Sequence, residues 1–465
     1  MKVPLTLEWI AGAVGGRLTA GRADTEVREV VIDSRVAGPG DLFVAIKGPR
    51  FDGHDFVAEV LARGAAAAIV DSAPRKGAPY EGAVIEVGDT VKALQDLAHA
   101  VRTAAGTKVI AITGSAGKTT TKETIAAFLE RRSTVVKNKG NLNNHIGLPL
   151  SLMQVRHEPD VAVMELGMNH AGEISTLVAI AEPDVRVWTN VGDAHLGFFA
   201  SPEAIADAKA EILEGATRST VLVCNADDPR VMARVAGFPG RTITFGVSAG
   251  ATVRATAIAD RGLSGMRAHV TTPAGETVIE PPLLGRGNLS NVLAATAVAV
   301  ELGVTLDEIA DAAARLRPAD RRGAVQRLRS GVTVVDDSYN SSPSALARSL
   351  DVVARETTAT RKVAVLGEML ELGDQAERLH AESGRLAAQS GIDVLFAIGG
   401  PAARTLAAAA IDGGMPAGAV TWFASSEEAA PAIADAVSAG DLVLVKGSRG
   451  IRTDLVVDRL AAERA

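Results

Sequence analysis

Lys108 to Arg132 reads KVIAITGSAGKTTTKETIAAFLERR, and the organisation of the chain follows from it. Val109-Ile110-Ala111-Ile112 is a short apolar run bounded by glycine, which predicts a buried strand. Ile125, Phe128 and Leu129 fall at the i, i+3, i+4 spacing of one helical face. Between them lies Gly114-Ser115-Ala116-Gly117-Lys118-Thr119-Thr120. Strand, glycine loop, Lys-Thr and helix make the layout of a phosphate cradle. Backbone N–H groups and the helix N-terminus face phosphate oxygens, Lys118 adds a full charge, and the Thr119 hydroxyl can hold Mg²⁺. The commoner G-x-x-x-x-G-K-[ST] pattern would place its first glycine at Ile112, so this loop is a shorter form.

The rest of the composition is compatible with a nucleotide-using enzyme. A length of 465 residues predicts about two to four domains. Apolar residues make up 47% but aromatics only 3%, so the cores must be built from Ala, Val, Leu and Ile. The charge balance, 48 − 55 = −7, argues against a nucleic-acid binder, which would carry a basic face. The single cysteine, Cys224, sits in an apolar run and reads as a small buried hydrophobe. One cysteine cannot staple a secreted fold, Glu8 interrupts the apolar N-terminus, and no uncharged run approaches the roughly 20 residues of a membrane span. A cytoplasmic protein without a membrane span is expected.

Read in order, residues 1–105 form a small α/β unit. It has a helix over Leu5–Leu18, a strand at Leu42–Ile46, and Ser34, Arg35, Lys47 and His54 at strand ends or turns. Those residues are ordinary turn chemistry or an anion pocket suited to a diphosphate. Residues 106–317 form a central unit with a mainly parallel sheet. Its strand Val161–Met164 ends on Glu165, where a carboxylate can reach Mg²⁺ at the C-terminal edge of a sheet. The amide-rich segment 140–149 carries Asn143 and Asn144. Val185–Val191 delivers Asp193 and His195, and Ser201-Pro202 starts a helix carrying Lys209. Short antiparallel strands are expected over 241–283, and an apolar helix from Gly287-Asn288 to Leu302. Residues 318–465 restart a strand–helix alternation, a second doubly wound α/β unit. Its strand ends deliver Asp336, Tyr339 and Asn340, then Lys446, Ser448 and Arg449.

Taken together and in order, these stretches resemble the Mur ligases, and within them the MurF type. The matching segments are DSR…GDLFVAIKG…FDGHDF (33–56), TGSAGKTTTKE (113–123), NLNNHIGLP (141–149), ELGMNHAGEI (165–174), TNVGDAHLGFF (189–199), KAEI (209–212), NADDP (225–229), DDSYNSSP (336–343), GEMLELGD (367–374) and KGSRG (446–450). The DNPR stretch expected of the diamino-acid-adding MurE type is absent from the sequence.

The resemblance implies a UDP-substrate domain, a central ATPase and a Rossmann-like C-terminal domain. It implies an ATP-dependent ligase that joins D-alanyl-D-alanine to UDP-N-acetylmuramoyl-tripeptide through an acyl phosphate, giving a peptidoglycan precursor, and working as a monomer. By the same resemblance, Gly114 to Thr120 hold the ATP phosphates and Thr119 one Mg²⁺. Glu165, His195 and Lys209, the last as a carbamate, hold a second. Asn288, Arg322, Asp336, Tyr339 and Asn340 contact the nucleotide. Ser34, Arg35, Lys47, Asn143, Asn144, Lys446, Ser448 and Arg449 serve the other substrates. Two positions depart from the family pattern: Gly287 stands where His is usual, and Arg321 where Gly precedes the arginine. The competing readings are another ligase of the superfamily, such as a folylpolyglutamate synthase, and a nucleotide-dependent switch that ignores UDP-sugar peptides.

Overall fold

The computed structural model describes residues 3–71, 80–193 and 196–464. Within them the strands form three sheets. The first contains β1 (Arg17–Leu18), β2 (Val30–Val31), β3 (Leu42–Val44), β4 (Ala67–Val70) and β5 (Val84–Glu86), in the order β1-β5-β4-β3-β2. The expected helix over Leu5–Leu18 is shorter, Leu7–Ala13. Gly15 turns the chain with φ +60°, and Arg17–Leu18 instead pairs antiparallel with β5.

The central sheet contains β6 (Lys108–Thr113), β7 (Val135–Lys137), β8 (Val161–Glu165), β9 (Val185–Trp188), β10 (Val221–Asn225), β11 (Arg241–Gly246), β12 (Val253–Asp260), β13 (Met266–Thr272) and β14 (Gly275–Ile279). Their order is β14-β13-β12-β11-β10-β9-β6-β8-β7. The chain leaves β6 toward β7 and β8 on one side, then returns to β9 and β10 on the other. That reversal puts the end of β6 at a topological switch point, where open α/β sheets bind ligands. Antiparallel pairing is confined to β12–β13 and β13–β14; β11 pairs parallel with β10, and β12 parallel with β11. The antiparallel expectation for 241–283 therefore fails for its first strand. A crossover through 226–240, with the short helix Pro229–Met232, returns the chain to the same sheet edge.

The central strands alternate between two cores, as period-2 side chains must. On β9, Val185 and Val187 join the layer of helices Lys118–Leu129 and Gly285–Glu301. Trp188 faces the opposite layer, which helices Thr90–Ala105, Gly147–Leu152 and Glu173–Ala181 cover. That second core runs without a break into the N-terminal unit: Leu94, Leu97 and Val101 belong to one buried cluster with Leu7 of that unit and Leu177 of the central one. Helix Thr90–Ala105 is thus the shared wall. Gly106, left-handed at φ +67°, ends it before β6.

The third sheet contains β15 (Ala324–Arg327), β16 (Thr333–Asp337), β17 (Arg361–Gly367), β18 (Val394–Ile398), β19 (Val420–Phe423) and β20 (Asp441–Lys446), ordered β15-β16-β20-β17-β18-β19. All its pairs are parallel except β15–β16. Among the described residues no helix is long and apolar enough to cross a membrane.

Arg102 fastens the shared helix to the central unit. It donates to the carbonyls of Ala181 (2.9 Å) and Glu182 (3.0 Å) and to Asp184 (2.9 Å), whose carboxylate also takes the Val109 N–H. Arg102→Ala removes three bonds and takes the donor from the buried Ala181 carbonyl, and should destabilise the chain by about 1–3 kcal/mol. Scanning calorimetry should show a midpoint lower by several degrees; an unchanged midpoint would contradict this account of the joint.

Candidate functional site

The phosphate loop is held by the strand beside it. Ser115 N–H donates to the Asn190 carbonyl (3.0 Å), and Ala116 N–H to Asn190 Oδ1 (2.9 Å). Asn190 Nδ2 and Thr189 Oγ1 both donate to the Ala116 carbonyl, at 3.0 and 2.8 Å. Gly114 (φ +149°) and Gly117 (φ +84°) have no room for a Cβ, which would collide with Thr189 and Asn291 respectively. The helix that follows, Lys118–Leu129, has no side-chain cap, so its first N–H groups are left for a ligand.

Below the loop, polar side chains fix one carboxylate. Glu165, at the end of β8, accepts from Thr119 Oγ1 (2.7 Å) and Asn143 Nδ2 (2.8 Å). Its backbone is clamped by the buried Asn138, which takes the Glu165 N–H and donates to the Glu165 and Leu142 carbonyls. Lys118 Nζ donates back to the Gly114 carbonyl at 2.8 Å. Loss of hydration lowers its pKa, and Glu165 opposes that shift.

Lys209 is 1% exposed on helix Pro202–Ala210. Ser201 caps that helix by accepting from the Ala204 N–H, as its sequence predicts. The buried Arg186 holds the following turn by donating to the Ile212 and Glu214 carbonyls. Burial first, and the Lys118 charge second, push the Lys209 amine well below its ordinary pKa. His195 lies outside the described residues.

The phosphate loop, Lys118 and Glu165 open into one cavity of about 1010 Å³ between the central and C-terminal sheets, whereas Lys209 is buried behind its wall and does not line it. Of the residues singled out in the sequence, Ser115 to Thr120, Asn143, Asn144, Glu165, Asn288, Arg322, Tyr339, Asn340, Lys446, Ser448 and Arg449 line it. The carboxyl ends of β6, β8, β9 and β10 supply one wall. The C-terminal unit supplies the other from the ends of β16, β17 and β20. Arg322 stacks on Tyr339 with its guanidinium 4.0 Å from the ring centre, and Arg449 lies 5.4 Å away. Lys446 Nζ donates to Asp337 (2.6 Å) and to the Asn340 carbonyl (3.0 Å), while Ser448 Oγ accepts from Leu370 N–H (2.9 Å). Two contacts join the walls directly: Ser344 donates to Asp193, and Gly197 N–H to the Glu371 carbonyl.

Other sequence candidates lie elsewhere. Asp336 does not line the cavity. It is buried on the other face of β16, its carboxylate bonded to Ser338 and its pKa raised by burial; the neighbouring Asp337 takes the cavity position. Lys47 lines a separate recess of about 290 Å³ in the N-terminal unit, with Arg50, Phe51 and Asp55. Ser34 and Arg35 line neither: Arg63 donates to the Ser34 carbonyl, and Arg35 forms an exposed ion pair with Asp33. Gly114 lies behind the cavity wall and shapes the loop. Sequence reasoning missed Asn138, Asn190, Asn291, Asp337 and Arg348. The three amides lie outside any motif whose chemistry marks them, because their partners sit on other elements, and nothing in a linear sequence shows which of two adjacent aspartates faces inward.

Arg321 explains one departure. Its φ of +57° is left-handed, a conformation that favours glycine. Ion pairs to Asp454 (2.8 Å) and Asp458 (3.2 Å) hold the arginine there.

Comparison with known proteins agrees in all three units. Residues 26–102 match the Mur ligase family catalytic domain, 112–299 the Mur ligase middle domain, and 321–449 the Mur ligase glutamate ligase domain. The chain is 35% identical over 460 residues, 98% of each chain, to a UDP-N-acetylmuramoyl-tripeptide–D-alanyl-D-alanine ligase of Bacillus subtilis (strain 168). Among solved structures, it superposes on MurF from Acinetobacter baumannii with TM-score 0.89 and 33% identity, covering 99% of each chain. It superposes on the MurF ligase of Thermotoga maritima in complex with ADP with TM-score 0.82 and 31% identity, covering 94% of this chain and 98% of that one. The chain belongs to the Mur ligase family.

Proposed function

We propose that this chain is the ATP-dependent ligase that adds D-alanyl-D-alanine to UDP-N-acetylmuramoyl-tripeptide. The observation that carries this reading is the cavity itself. A phosphate loop, a fixed carboxylate and a second wall of cations meet in one space, in a chain that matches such ligases over nearly its whole length.

A peptide carboxylate is a poor acyl donor, because its leaving group would be oxide. Transfer of the γ-phosphoryl of ATP to that carboxylate gives an acyl phosphate and ADP. The neutral amine of D-alanyl-D-alanine then attacks the acyl carbon, and the tetrahedral intermediate collapses to amide and phosphate. The site's task is to hold two anions together and exclude water. Lys118 and the uncapped helix N-terminus bind the phosphates. Lys446 and Arg449 lie on the opposite wall, where the incoming dipeptide would sit, and Asn143 and Asn144 serve the tripeptide side. Ser34, Arg35 and Lys47 would hold the UDP end in the N-terminal unit.

Mg²⁺ fits what the residues present. Thr119 Oγ1 and the Glu165 carboxylate stand 2.7 Å apart at the loop, an oxygen pair of the hard-cation type. Bound there, the ion would neutralise phosphate charge. A second ion would fall to Glu165, His195 and Lys209, and an ammonium cannot ligate a cation. Lys209 instead has the chemistry for carbamylation: a buried amine with a depressed pKa is nucleophilic toward CO₂. The carbamate would turn its repulsion from Lys118 into attraction.

We place the domain boundaries near 105 and 317, a division supported by Gly106 after the shared helix and by the left-handed Arg321. We also propose a cytoplasmic monomer, in keeping with the single buried cysteine.

Phosphate release from ATP and Mg²⁺ should require both UDP-MurNAc-tripeptide and D-alanyl-D-alanine, with a pentapeptide product by mass. Release indifferent to both would favour a nucleotide switch over a ligase. Lys118→Ala should lower turnover at least about 10²-fold without unfolding the chain; full activity would sink the phosphate-site assignment. Lys209→Ala should also lose activity and recover part of it with a short added carboxylate. Unchanged turnover in that variant would remove the carbamate.

A further inference from the structure

Helix Gly285–Glu301 leads away from the phosphate loop along the cavity wall. Asn291 presses on Gly117, and its amide donates to Asn288 Oδ1 at 3.3 Å, nearly a turn nearer the helix N-terminus. A turn is about 5.4 Å. A ligand with its phosphates on 114–119 therefore presents its next part, the nucleoside, to Gly287 and Asn288.

Gly287 is not an empty position. A Cβ there would stand 3.2 Å from Arg348 Cδ and 3.4 Å from its Nε, so the arginine packs directly over Gly287 and a side chain at 287 would press it aside by a few tenths of an ångström. Arg348 arrives from the opposite wall, on helix Pro343–Arg355 of the C-terminal unit. Two carboxylates face it, Asp193 and Asp337. Asp193 gives both oxygens to Ser344 and Asp337 gives its Oδ2 to Lys446 and Ser349, and neither accepts a hydrogen bond from the guanidinium. Among the described residues this leaves the guanidinium donors to the cavity, which Arg348 lines beside Gly287 and Asn288.

We propose that Arg348 is a nucleoside-contacting residue, its planar guanidinium covering the purine ring of bound ATP from the side that Gly287 leaves open. The proposal rests on the reading of this cavity as an ATP site. Arginine is suited to the role because it stacks on aromatic faces while staying charged. Since Gly287 and Arg348 belong to different units, the contact exists only while the two walls face each other. Nucleotide binding and that arrangement are therefore coupled: each favours the other.

The test is calorimetric binding to the full-length chain with Mg²⁺, using ADP and inorganic tripolyphosphate as separate probes. Arg348→Ala should weaken ADP about tenfold and change tripolyphosphate by less than about twofold. Arg348→Lys keeps the charge and most of the packing but lacks the plane, so it should weaken ADP to a similar degree. Unchanged ADP affinity in Arg348→Ala would overturn the proposal. So would equal losses for both probes, which would put the arginine on the phosphates, or full ADP affinity in Arg348→Lys. A wild-type chain that binds neither probe would overturn the ATP reading itself and the proposal with it. If the wild-type chain binds ADP and only the variant result fails, the ATP reading stands.

Discussion

The hardest constraint in this molecule is positive charge kept out of water. Lys118 folds its amine back onto its own loop, and the Lys209 amine is buried within reach of that charge. Arg322 adds a further cation that disfavours protonated Lys118. A protein of net charge −7 has no general excess of cations to place there. It concentrates them, with one helix N-terminus, around a single cavity. Glu165 offsets part of the charge, and its position is fixed by Thr119, Asn143 and Asn138. Such an arrangement is strained without anions and relieved by them. A triphosphate and a carboxylate, which repel one another in water, are what it can accept together.

Topology brings these charges together. In the central sheet the chain reverses direction around β6. In the C-terminal sheet β16 and β17 lie on either side of β20. Each reversal opens a crevice at the carboxyl ends of its strands, and the two crevices face each other. The Ser344–Asp193 and Gly197–Glu371 contacts hold them so. The N-terminal unit is fastened differently, through a continuous apolar core and Arg102, which suits a part that positions substrate and need not move against the central sheet.

Much of this was legible in the sequence because it is local. The strand–loop–helix at 108–132, the Ser201-Pro202 helix start and Glu165 at a strand end are set by neighbours within a few residues. What was not legible depends on pairing at long range. Arg241–Gly246 has the composition of an antiparallel strand, but the crossover before it decides that it runs parallel with β10. Asp336 and Asp337 are chemically identical, and only the register of β16 against β20 sends one into a buried bond with Ser338 and the other to Lys446. Nothing local marks Asn138 or Asn190; their roles arise from β8 and the β9 end lying beside the elements they clamp.

The two departures from the family pattern are explained by the same kind of long-range contact. At 321 the backbone keeps the left-handed geometry for which glycine is the easy choice, and the chain retains arginine there because Asp454 and Asp458 bind its side chain. The backbone cost, about 1–2 kcal/mol for a non-glycine residue in that region, is of the size that the partly buried pair with Asp454, with the more exposed Asp458 beside it, can largely offset. At 287 the reverse holds: where a side chain is missing, a neighbour's side chain packs directly over the bare backbone. In both places the residue meets a partner more than 60 positions away in the chain. A departure from a motif therefore need not mark a lost contact. Here the facing wall sets Arg348 over Gly287, and that ties this end of the cavity to the meeting of the two sheets.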